Sequence, residues 1–112
     1  MKPVLVVCNE PGRTFRIRQW YADQGAKTAW YPHYDAYLLD LAERRPPVMV
    51  VDLLLPIDPK LNLIAKAREQ YADLPLVLVG KSEYLAAQNL FQNDAHVTLI
   101  DDIDQLPPPP KE

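Results

Sequence analysis

The sequence predicts a doubly wound α/β domain, a parallel sheet with helices packed on both faces. Three observations carry this. Four short apolar runs, "PVLVV" (3–7), "PVMVV" (47–51), "PLVLV" (75–79) and "HVTLI" (96–100), are continuous rather than alternating, as in strands buried on both faces. Between them lie segments with helical spacing of apolar residues. Gly, Pro and capping residues fall where one kind of segment gives way to the other.

Taken in order, the first strand is "PVLVV". A helix follows, with Ile17, Trp20 and Tyr21 recurring at i, i+3 and i+4, and Gly25 stands just beyond its end. "TAWY" (28–31), β-branched and aromatic, reads as a second strand. The next helix carries Tyr37, Leu38, Leu41 and Ala42, with Asp35 placed to cap it. Pro46 and Pro47 precede the third strand, and Ile64, Ala67 and Tyr71 mark the third helix. After Pro75 comes the fourth strand, then a helix with Ser82 as its cap and Ala87, Leu90 and Phe91 as its stripe. "HVTLI" is the fifth strand. The remainder, "DDIDQLPPPPKE", holds one helical turn before four prolines stop any continuation, so a fifth helix is missing or reduced to one turn. Residues 1–106 form the expected domain and 107–112 a stiff proline-rich tail.

Length and composition agree with this reading. The chain has 112 residues, enough for one domain with a real core, and its 48% apolar and 24% charged residues are ordinary for a globular protein. No apolar run is long enough to span a bilayer, and "MKPVLVV" lacks a cleavage site, so a cytoplasmic location is expected. The single cysteine, Cys8, suits a reducing compartment and reads as a small strand-end side chain. A net charge of −3 argues against nucleic acid, and Arg13, Arg16 and Arg18 read as a solvated helix face. His33 and His96 lack metal-ligand spacing, and with only three glycines no phosphate-cradling loop follows the first strand.

Doubly wound sheets place their chemistry at the carboxyl ends of the strands, where the winding reverses. In the flavodoxin-like order 2-1-3-4-5, Cys8, Asn9 and Glu10 at the end of the first strand lie beside Asp52 at the end of the third. A carboxylate inside the most apolar stretch, "VMVVDLLLP", is costly unless paired or wet. The reading here places Asp52 at a wet strand end, emerging where the core stops. Glu10, Asp52, Asp101 and Asp102 share that edge, which makes Glu10 and Asp52 weak candidates for a hard-cation site.

"VLVVCNE", "VMVVDLLLP", "PLVLVG" and "VTLI", in this order and at these intervals, resemble the CheY-like receiver domain of two-component response regulators over almost the whole chain. The resemblance implies that Asp52 occupies the phosphoacceptor position. The family's metal-binding acids fall on Cys8 and Asn9, its hydroxyl residue on Gly80 and its lysine on Asp101, followed by Asp102. The aromatic switch position falls on Thr98. Phosphoryl transfer depends on positioning and on neutralising charge with metal and cation. A pocket with Cys8, Asn9, Gly80 and Asp101 at those positions lacks both. Lys81 or Ser82 supplies the hydroxyl or cation only if the fourth strand ends later.

The expectation is therefore a pseudo-receiver: no enzyme, no cofactor, Asp52 vestigial, and a protein-interaction role in bacterial signal transduction. Two alternatives stay open. One is a working receiver that takes phosphate on Asp52 with Mg²⁺; the other is a flavodoxin-like domain binding a small ligand or cation at the same edge. The missing fifth helix implies an open apolar face formed by Val97 or Leu99 and the flank of the first helix around Phe15 and Ala22. A protein partner, a second copy or the folded-back tail would cover it, with no nucleic acid and no membrane involved.

Overall fold

The computed structural model describes residues 2–53, 58–80 and 94–110, with the side chains of 58–61 excepted. The elements are β1 (Val4–Val7), α1 (Pro11–Asp23), β2 (Thr28–Trp30), α2 (Tyr34–Glu43), β3 (Met49–Asp52), α3 (Asp58–Gln70), β4 (Leu76–Val79) and β5 (Val97–Ile100). A single 3-10 turn, Ile103–Gln105, follows β5. The helix expected around Ala87, Leu90 and Phe91, with its cap Ser82, lies outside the described residues, as does Lys81.

All five strands pair in parallel, in the order β2-β1-β3-β4-β5. Alternation along the strands divides the apolar side chains between two layers. Leu5, Val7, Met49, Val51, Leu76 and Leu78 face α2 and α3, where Tyr37, Leu41, Leu63, Ile64 and Ala67 meet them. Val4, Val6, Val48, Val50, Val77 and Val79 face α1 and the 3-10 turn, against Ile17, Tyr21, Ile103 and Leu106. Each fully buried Val or Leu contributes roughly 1.5–3 kcal/mol of transfer free energy, so this double-faced burial dominates the fold.

Four expectations are corrected. Asp35 does not cap α2; His33 is its N-cap residue and makes no side-chain cap, while Asp35 sits in the first turn. β5 is not buried on both faces: Thr98 and Leu99 are exposed, because β5 is an edge of the sheet. Val97 packs with the α2/α3 layer and Ile100 with the α1 layer, so by alternation Thr98 and Ile100, not Val97 or Leu99, face the side of the missing helix. That side is not bare either. Ile103 and Leu106 are buried there, filling with one turn part of the place a fifth helix would cover, and Pro107 and Pro109 are half-buried beyond them.

Candidate functional site

Glu10 sets the geometry at the carboxyl end of β1. It is the N-cap of α1, with its carboxylate accepting from Gly12 N (2.9 Å) and Arg13 N (2.7 Å), and Pro11 occupies the first helical position. These backbone donors hold the Glu10 carboxyl below the usual range. The cap fixes the helix phase so that Arg13, in the first turn, reaches back over the strand ends.

Arg13 closes on Asp52. Its Nε lies 2.5 Å from Asp52 Oδ2 and its Nη2 3.3 Å from Oδ1. Asp52 is 1% exposed and the Arg13 side chain 20%. The expectation of a wet strand end is thus overturned: Asp52 is buried and answers the cost of burial with a two-pronged ion pair. Arg13 is correspondingly not part of a solvated face. The Asp52 hydrogen bond raises its pKa further, and its Nη1 also lies 3.8 Å from Asp102.

The other expected pocket residues are placed as follows. Cys8 is buried, and its thiol donates to Asp52 Oδ2 at 3.3 Å; burial raises its pKa, so the thiol form persists. Asn9 is exposed and its Oδ1 accepts from Tyr34 OH at 2.9 Å. Gly80 is buried with φ +110°, a backbone state that favours glycine, which accounts for a residue without hydroxyl here. Asp101 is exposed and its N–H donates to Gln105 Oε1 at 2.8 Å. Asp102 caps the 3-10 turn, accepting from Ile103 N at 2.7 Å. Thr98 is exposed on β5.

These residues do not fit Mg²⁺. Asp52 is engaged by Arg13, Cys8 offers a protonated thiol, Glu10 spends both oxygens on helix N–H groups, and the cation wants hard, open oxygens. The proposed cation site at Glu10, Asp52, Asp101 and Asp102 is not assembled either, and among the described residues no group of three His, Cys, Asp or Glu side chains converges as a metal site would.

Sequence reasoning missed Arg13. One signal was available: an arginine in the first turn of a helix opposes the helix dipole, which is worth roughly 0.3–1 kcal/mol, and α1 has no acidic residue in that turn. A cation placed there against local preference points to a partner elsewhere in the fold.

No family model matches the chain, and no curated protein matches it. Solved structures do. The chain is similar to the apo receiver domain of Nitrogen Regulatory Protein C, with a TM-score of 0.76 and 22% identity over 93% of this chain and 86% of that one. It is also similar to a CheY-like response regulator receiver domain from Methanospirillum hungatei, with a TM-score of 0.74 and 16% identity over 90% and 82% of the two chains. A third is the response regulator TrrA from Thermotoga maritima in complex with Mg²⁺ and BeF, with a TM-score of 0.70 and 18% identity over 91% and 88%. The fold is the CheY-like, flavodoxin-type receiver fold.

Proposed function

On this fold, we propose that the chain acts as a noncatalytic receiver-type module in bacterial signal transduction, engaging a protein partner without taking phosphate on Asp52. One observation carries the reading. Arg13 occupies both oxygens of the carboxylate that a phosphoryl group would have to approach, and Cys8 adds a thiol donor to one of them. A nucleophile held in a buried ion pair must break that pair before it reacts, and Cys8 and Asn9, at the positions of the family's metal-binding acids, offer no carboxylate to recruit a cation in its place. The partner surface is the region beside the 3-10 turn, where Trp20 and Ile100 remain half-exposed at the rim of the α1 layer.

Incubation with Mg²⁺ and acetyl phosphate tests this, read by intact-mass spectrometry. The expected outcome is an unmodified mass. A stoichiometric phosphate adduct that disappears in Asp52→Asn overturns the proposal in favour of a working receiver.

A further inference from the structure

A cavity of about 800 Å³ opens around the carboxyl end of β2, between the outer flank of α1 and the start of α2. Phe15 and Ala22, expected beside the missing fifth helix, line this cavity instead. Its volume falls within the range of small-molecule sites, roughly 300–1,000 Å³. Phe15, 67% exposed, stands on one wall; Trp30, Tyr31 and Tyr34 form the other, over a floor of buried Tyr37.

The polar ends of these aromatics are already spoken for. Trp30 Nε1 donates to Cys8 O at 2.9 Å, Tyr31 OH to Asp40 Oδ2 at 2.6 Å, Tyr34 OH to Asn9 Oδ1 at 2.9 Å and Tyr37 OH to Val6 O at 2.5 Å. The internal bonds hold the rings in place before any ligand arrives, which removes part of the ordering cost of binding. They leave the aromatic wall presenting ring faces, while Asn9, Gln19 and His33 add polar groups elsewhere in the lining. Against this mixed lining, with His33 neutral, stands one formal charge. Arg18 uses Nε on Thr28 Oγ1 at 2.9 Å, and among the described residues no carboxylate pairs with it or lines the cavity. A net-negative chain thus presents an unopposed cation at an aromatic cleft.

We infer that this cavity binds a flat aromatic acid, its rings stacked between Phe15 and the Trp30–Tyr34 wall and its carboxylate on Arg18. Offset stacking supplies the affinity and the guanidinium the choice of charge. A polyproline segment is disfavoured, because it carries no carboxylate for Arg18 to select and finds the indole and tyrosine donors of the aromatic wall committed internally. The lining includes Cys8, whose thiol donates to Asp52 Oδ2.

Two-dimensional NMR with naphthalene-2-carboxylate and its neutral isostere naphthalene-2-carboxamide decides the matter. The acid is expected to shift the Trp30 indole N–H and the amides of Phe15 and Tyr34 saturably, binding about fivefold more tightly than the amide. Arg18→Gln, at an exposed helix position, should bring the affinity for the acid down to that for the carboxamide, and Arg18→Lys should retain part of the preference. The inference is overturned if neither probe gives a saturable shift, if the shifts lie elsewhere, if the preference survives Arg18→Gln, or if a decaproline peptide saturates the same signals more tightly. None of these outcomes depends on whether Asp52 accepts phosphate.

Discussion

Arg13 and Asp52 lie 39 residues apart in sequence and act as one unit in the fold. Removing Arg13 takes a two-pronged guanidinium away from a buried carboxylate, whereas removing the charge on Asp52 leaves an arginine that can swing toward Asp102 and solvent. Arg13→Ala is therefore expected to cost about 2–4 kcal/mol and Asp52→Asn less, about 1–2 kcal/mol. The double substitution should cost less than their sum, as a double-mutant cycle in urea would measure. Cys8 offers a second check. Its thiol is buried and its pKa raised, first by burial, so at pH 8 a disulfide reagent should modify the native protein far more slowly than the urea-unfolded chain. Equal rates would mean the strand end opens freely.

At the scale of the element, α1 begins where Glu10 puts it. The carboxyl of Glu10 has a folded pKa below its ordinary 4.5, chiefly through the Gly12 and Arg13 N–H groups. Its contribution is therefore present above that ordinary value and lost as pH falls through the depressed folded value. The Glu10 side-chain carbon signal should titrate with a midpoint below 4.5, and Glu10→Gln should flatten the stability profile in that acidic window. The elements themselves were largely legible, because strands buried on both faces leave unbroken apolar runs and α1 to α3 leave stripes at helical spacing. Arg13 was not, since its partner depends on the phase of α1, and that phase is set by a glutamate cap outside the usual Ser, Thr, Asp and Asn signal.

For the whole molecule, closure of the α1 layer rests on a short segment. Ile103 and Leu106 are 3% and 6% exposed, and each seals the face that a fifth helix would otherwise cover. Ile103→Ala and Leu106→Ala should each cost about 2–4 kcal/mol in denaturant unfolding, while removal of 107–112 should cost less than either. If truncation proves the larger loss, the prolines and not the two anchors hold the layer together. Sequence reading missed these anchors because two apolar residues in "DDIDQLP" show no period. It overstated the burial of β5 because a central strand and an edge strand read alike when both are continuous runs. Strand order was recoverable from crossover rules, but the crevice was drawn with Asp52 wet, since burial of a charge is decided by a side chain from another element.

The clamp of Arg13 on Asp52 also constrains the paths by which sequences near this one can change. Losing Arg13 alone costs about 2–4 kcal/mol, a large share of the roughly 5–15 kcal/mol that holds a domain folded. An acid introduced first at Cys8 sets a second carboxylate against Asp52 in a dry site. A serine or threonine introduced first at Gly80 meets a backbone at φ +110°. Each of these three steps toward a phosphate-accepting pocket runs uphill when taken alone, so at Arg13, Cys8 and Gly80 this chain sits in a basin of sequence space that concerted substitutions leave more readily than single ones.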